Sequence, residues 1–204
     1  MNPAYRPMLA TLVDAPFDDQ RWVFETKWDG FRLITEKRDH AVRLWSRNGI
    51  DVTTRYAMLL PALQKIDGSC VIDGELCALD AHGRSRFQLL QNALNKKAKL
   101  LYVVFDALFV GGKDIREKPL LERKKILKAV MPRDPLLRYS EYVAEFGRRE
   151  SRTTMKKMKF APVGPEPASR NPGGPWSVDH SPSTRRLAYC RGGIGIRDGG
   201  GVGL

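Results

Sequence analysis

Lys27 stands at the end of an apolar run, in the string Glu25-Thr26-Lys27-Trp28-Asp29-Gly30-Phe31-Arg32. A lysine amine attacks phosphorus only in its neutral form. Its ordinary pKa of about 10.4 must then be lowered by nearby cations, a metal or desolvation. Trp22, Phe24 and Trp28 offer an apolar surround, and Arg32 offers a guanidinium for hydroxyl or phosphate oxygens. Gly30 would let the backbone approach a ligand closely. The same string also reads as a strand running into an ordinary Asp-Gly turn.

Four further groups have types suited to chemistry. Ser46-Arg47-Asn48-Gly49 places an arginine at a strand end, and also reads as an exposed turn. Asp73-Gly74-Glu75 sets two carboxylates around a glycine inside an apolar strand. Buried acids are costly unless paired or metal-bound, and a hard cation such as Mg²⁺ takes carboxylate oxygen. The alternative is a bulge with both acids in solvent. In Phe105-Asp106 the ring could stack on a base and the acid could hold a metal or a ribose; the ring could equally be core. Lys156-Lys157-Met158-Lys159 reads as a solvated charge run.

These residues need elements to position them. Strands are predicted over 22–27, 31–37, 42–46, 70–79 and 100–110, with another over 136–143. Thr53 or Thr54 could cap a helix carrying Met58, Leu59, Ala62, Leu63 and Ile66. Further helices are predicted around Phe87, Leu90 and Leu94 and over 119–130, the last opened by Pro119. Met8 to Val13 would lie across a pocket or add an edge strand. Short strands in hairpin order with interspersed helices indicate an α+β fold with mainly antiparallel sheets.

The composition divides the chain near Gly147. Residues 148–204 hold 10 of the 18 glycines, 6 of the 13 prolines, and 11 Lys/Arg against 4 Asp/Glu. That is +7 of the net +12, leaving +5 for residues 1–147. The tail cannot bury enough apolar surface to offset the entropy of ordering, so residues 148–204 are expected to be largely disordered. The overall charge suggests a nucleic-acid partner, though most of the excess lies in the tail. Three cysteines form no C-x-x-C pair, and the three histidines lie far apart, so no zinc signature exists. No run approaches the roughly 20 apolar residues of a membrane span, and the N-terminus lacks an apolar signal core. A cytoplasmic protein is expected.

Lys27, Arg47, Glu75 and Phe105 fall in order on successive predicted strands. From about Pro7 to Ser140 the series resembles the ATP-grasp-like nucleotidyltransferase (adenylation) domain of ATP-dependent DNA ligases, in particular the ligase component of bacterial end-joining LigD. The matching strings are Pro7-Met8-Leu9-Ala10, Trp22 to Arg32, Arg47-Asn48-Gly49, Asp73-Gly74-Glu75 and Phe105-Asp106-Ala107-Leu108-Phe109. The resemblance implies that Lys27 takes AMP from ATP as a phosphoramidate. In a complete ligase the AMP then passes to a 5′-phosphate, and a 3′-hydroxyl displaces it. It further implies that Glu25 reads the adenine amino group and Thr26 lines the nucleotide. Arg32 and Arg47 would contact ribose or phosphate, Glu75 the ribose or a metal (Mg²⁺ or Mn²⁺), and Phe105 would stack on adenine. Implied partners are nicked or broken double-stranded DNA and a DNA-end-binding protein. The setting would be the bacterial cytoplasm, associated with the nucleoid, with the ligase acting as a monomer in repair or recombination.

The chain departs from that family after about Phe146. An acid-glycine-apolar-apolar-x-lysine string, a lysine-bearing strand and an OB-fold domain are expected there and are not readable. Residues 1–147 therefore read as a partial adenylation domain. Residues 148–204 read as an out-of-frame translation or an aberrant terminus. Translating the coding DNA past codon 147 in the other two frames should uncover the acid-glycine string; its absence from both frames would contradict that reading. Two other functions are weighed: an RNA ligase or capping-type nucleotidyltransferase, and a non-catalytic nucleic-acid-binding fragment.

Overall fold

The computed structural model describes residues 5, 7, 10–13, 22–93, 99–144, 158–162 and 187–190. The strands are β1 (Ala10–Val13), β2 (Trp22–Thr26), β3 (Phe31–Arg38), β4 (Ala41–Ser46), β5 (Cys70–Leu79) and β6 (Lys99–Val110). They continue with β7 (Lys113–Asp114), β8 (Leu137–Tyr139), β9 (Tyr142–Ala144), β10 (Met158–Pro162) and β11 (Leu187–Cys190). The helices are α1 (Leu60–Gln64), α2 (Phe87–Ala93) and α3 (Leu120–Val130). One sheet runs β4-β3-β5-β6-β7, with β8 added parallel to β6; the other runs β1-β11-β10-β2-β9. Most pairings are antiparallel, and the α+β expectation holds.

The alternation of β3 and β5 sorts their side chains to two faces. Leu33, Ile72, Leu76 and Ala78 join Leu44, Leu59, Leu63, Tyr102 and Leu127 in the main core. The Tyr102 phenol donates to the Leu33 carbonyl (3.0 Å) and accepts from the Thr35 hydroxyl (3.1 Å), so the buried oxygen is satisfied. The opposite face carries Arg32, Asp73 and Glu75, flanked by Ile34, Trp45 and Val71 on one side and Cys77, Leu101 and Val103 on the other. On β6 the ladder skips Phe105 and Leu108, because Asp73 pairs with Asp106, Gly74 with Val104, Val71 with Phe109 and Ile72 with Ala107. Each skipped residue is a bulge that re-aims its side chain.

One expectation changes. The helix after Thr53 is broken into a 3-10 turn, Ala57–Leu59, and the short α1, without a side-chain cap. The Thr53 hydroxyl instead accepts the Leu44 amide (2.9 Å) and donates to Asp51 (2.6 Å), so it closes the turn beyond β4. Within residues 148–204, expected to be largely disordered, the described residues form β10 and β11. β10 pairs with β2 from Met158↔Thr26 to Pro162↔Trp22. β9 takes the other edge of β2, so the backbone groups of β2 are shared between the two neighbouring ladders. The predicted helix position Leu94 and the basic residues Lys156 and Lys157 lie outside the described residues.

Gly30 is required by packing. A Cβ there would sit 2.1 Å from the Leu76 carbonyl oxygen and 3.0 Å from the Cys77 sulfur. The backbone of β5 is thus in close approach at Gly30. Gly30→Ala is expected to cost about 3 kcal/mol, since the obstacle is backbone and cannot swing aside. Urea unfolding of the variant checks this, and a midpoint equal to wild type would refute it.

Candidate active site

Lys27 follows β2 directly and is half-buried. The loop after it is fixed from outside: the Asp29 amide donates to the Ser85 hydroxyl (3.0 Å). The Trp28 side chain packs against Cys77, Leu79, Leu101 and Val103, and its indole N–H is buried with no hydrogen-bond partner. A wall of this kind desolvates whatever lies against it.

The strand registers build a row beside this loop. Arg32 pairs with Glu75, Glu75 with Val103, and Val103 with Arg138 of β8. Directly opposed residues share a face. Ser46 pairs with Leu33, so one step further Arg47 comes level with Arg32. Arg47 is exposed, in a turn closed by the Gly49 amide on the Ser46 carbonyl (2.9 Å), with Gly49 at φ 76°. The guanidinium of Arg138 lies 6.0 Å over the Trp28 ring. Arg32, Asp73 and Glu75, with Arg138 at the end of the row, give this face two cations and two acids, to which an anionic ligand can bind through the guanidinium groups.

Arg32 is clamped by Asp73 through two hydrogen bonds, Nε to Oδ1 at 2.9 Å and Nη2 to Oδ2 at 2.6 Å. Burial works against the guanidinium charge. Asp73, with smaller help from Glu75 and Asp106, outweighs it and raises the Arg32 pKa. The guanidinium also stands 5.0 Å from the centre of the Phe105 ring. The bulge thus turns Phe105 to the polar face, where Arg32 covers one side of its ring.

The two remaining acids have separate duties. Asp106 receives Arg123 of α3 at both oxygens, 2.8 and 3.0 Å. The Arg123 Nη1 also donates to the Lys118 carbonyl. Asp106 therefore anchors α3 through Arg123. Glu75 is half-buried on the row. Among the described residues no group of three or more His, Cys, Asp or Glu could hold a metal. The donor set fits Mg²⁺ only where phosphate oxygens complete the shell, as Mg²⁺ commonly allows with one or two carboxylates.

Glu25 of β2 is buried at 6% exposure, and Lys124 of α3 reaches it at 3.1 Å. Thr26, at the exposed end of β2, pairs with Met158. Sequence reading missed Lys124, Arg123 and Arg138. Arg138 carried no signal beyond its type. The other two had one: Leu120, Arg123, Lys124 and Leu127 are the buried face of α3, at i, i+3, i+4 and i+7, with cations in the two middle places.

The chain is similar to known proteins. The family model of the ATP dependent DNA ligase domain matches residues 7–158. The multifunctional non-homologous end joining protein LigD of Pseudomonas aeruginosa is 41% identical over 145 residues, covering 68% of this chain and 17% of that protein. A DNA ligase of Methanococcus aeolicus is 33% identical over 141 residues, covering 62% of this chain and 25% of that one. Among solved structures, mycobacterial DNA ligase D complexed with ATP and MES superposes with a TM-score of 0.69 at 25% identity, over 90% of this chain and 59% of that one. The ligase domain of Mycobacterium tuberculosis LigD gives 0.64 at 26% identity, over 77% and 54%. The chain thus spans less than two thirds of each of these relatives. With the family model matched over most of its length and LigD ligase domains sharing its fold, this chain belongs to the ATP-dependent DNA ligase family.

Proposed function

We propose that the chain is an adenylation module in which Lys27 accepts AMP from ATP. What supports this reading is that Lys27 follows β2 and leads into the loop whose Trp28 ring lies under Arg138, while Arg32, Glu75 and Arg138 stand in one cross-strand row and Phe105 lies against Arg32. The neutral Lys27 amine attacks the α-phosphorus. An N–P bond forms as the bond to the β-phosphate oxygen breaks, pyrophosphate leaves with the electron pair, and the amine proton passes to solvent. Arg32 and Arg47 hold ribose or phosphate oxygens, Glu25 accepts the adenine amino group, Thr26 lines the nucleotide, and Phe105 stacks on the base. Glu75 holds the ribose or a divalent cation, Mg²⁺ or Mn²⁺, which when bound neutralises charge on the phosphates.

In a whole ligase the lysine-bound AMP moves to a 5′-phosphate at a nick or broken end, and the 3′-hydroxyl then seals the strand. Nicked or broken duplex DNA is accordingly the proposed partner, with a DNA-end-binding protein beside it in end joining. The proposed setting is the bacterial cytoplasm at the nucleoid, with the chain as a monomer. Among the described residues no helix is long and apolar enough to cross a membrane.

Residues 1–147 are proposed as a partial domain and residues 148–204 as an out-of-frame or aberrant stretch. The missing lysines would have helped neutralise pyrophosphate and lower the pKa of Lys27. Weak self-adenylation and little or no nick sealing are therefore expected. Incubation with labelled ATP and Mg²⁺, beside Lys27→Ala, tests this; strong labelling and sealing by wild type would overturn the expected impairment.

A further inference from the structure

We infer that Lys124 is a positioning residue that keeps Glu25 charged and aimed at the base, and so sets the preference for a purine bearing a 6-amino group. This rests on the nucleotide reading of the Lys27 face. Lys124 is fully buried, an unusual state for an ammonium, which needs strong compensation. Its Nζ lies 3.1 Å from the Glu25 Oε1 and donates to the Ser140 carbonyl at 3.1 Å. The rings of Tyr139 and Tyr142 stand 5.0 and 5.4 Å from it. Lys124 thus bridges α3, the β8–β9 segment and β2 two residues before Lys27.

The Glu25 carboxylate needs that charge. A carboxyl buried without a counter-ion becomes protonated near neutral pH, because desolvation disfavours the anion. Only the anion is a full-strength acceptor for an amino donor, and a carboxylate has about four acceptor sites, so holding Oε1 does not exhaust it. Glu25 meets Lys124 from α3 and acts on the Tyr139 phenol of β8; in the ladders it pairs with Tyr142 of β9 and with Lys159 of β10. Burial first, then Tyr142, Glu25 and Glu141, push the Tyr139 phenol above its ordinary pKa, so it stays neutral and does not replace the ammonium.

The test is equilibrium binding of ATP and of purine riboside triphosphate, which lacks the 6-amino group, to the full chain from pH 6.5 to 9. Wild type should prefer ATP by about tenfold or more at every pH, the worth of one hydrogen bond to a charged group. Lys124→Met should lose the preference at pH 6.5 and regain it as pH rises and Glu25 ionises; Lys124→Arg, which keeps the charge, should retain it throughout. A cooperatively folding Lys124→Met with an unchanged, pH-independent preference would overturn the inference. If Lys124→Met does not fold, Lys124→Gln, which removes the charge but can still donate to the Ser140 carbonyl, decides: an unchanged, pH-independent preference overturns the inference, and a preference lost at pH 6.5 and regained at higher pH upholds it. Wild type binding both nucleotides equally would sink the inference alone. Binding of neither would sink the nucleotide reading itself.

Discussion

Arg123→Met should destabilise the protein by about 3–5 kcal/mol, because it leaves the Asp106 carboxylate buried without its counter-ion. Both partners are nearly sealed from water, with side chains 6% and 10% exposed. Whole domains hold together by only about 5–15 kcal/mol, so a loss of this size would lower the melting temperature by roughly 10 °C. The double variant Arg123→Met with Asp106→Asn should unfold less readily than Arg123→Met alone, since no net charge is then buried. Urea titrations of wild type and the two variants check the order; a single variant as stable as wild type would show that Arg123 does not anchor α3. Because α3 also delivers Lys124 to Glu25, loosening this anchor should weaken ATP binding as well.

Lys27→Ala should abolish covalent labelling by ATP altogether, while Lys27→Arg should keep nucleotide binding and lose only the covalent step. The guanidinium preserves positive charge beside the phosphates, yet it stays protonated at any working pH and cannot act as a nucleophile. The loss in labelling is total because no other amine replaces the bond-forming atom, whereas Arg47→Ala or Glu75→Ala should reduce labelling without removing it. Gel autoradiography with filter binding on the same samples separates the two effects. Labelling that survives in Lys27→Ala would exclude Lys27 as the acceptor.

The parts of this site that lie along strands were legible in the amino-acid order. Asp73-Gly74-Glu75 and Phe105-Asp106 each interrupt an apolar run, and period two then puts Arg32, Asp73 and Glu75 on one face. The division of labour among the acids was hidden, since it depends on which cation arrives from elsewhere: Asp73 meets Arg32, and Asp106 meets Arg123 across the turn into α3. A bulge cannot be read from one strand either, because the extra residue exists only relative to the partner's register; Phe105 is such a residue. Gly30 was legible as a special position but not for its cause, which is the backbone of a strand some forty-five residues later. The composition of residues 148–204 foretold little structure, yet the ladder beside β2 takes up Met158–Pro162 through backbone groups that composition does not encode.

The most direct measurement is peptide mapping of the full chain after incubation with α-labelled ATP and Mg²⁺. A weak, acid-labile AMP adduct confined to the peptide containing Lys27, and absent from Lys27→Ala, is the expected result. Adduct on a different residue, or no adduct together with no detectable ATP binding, would contradict the assignment of Lys27 as the adenylation nucleophile.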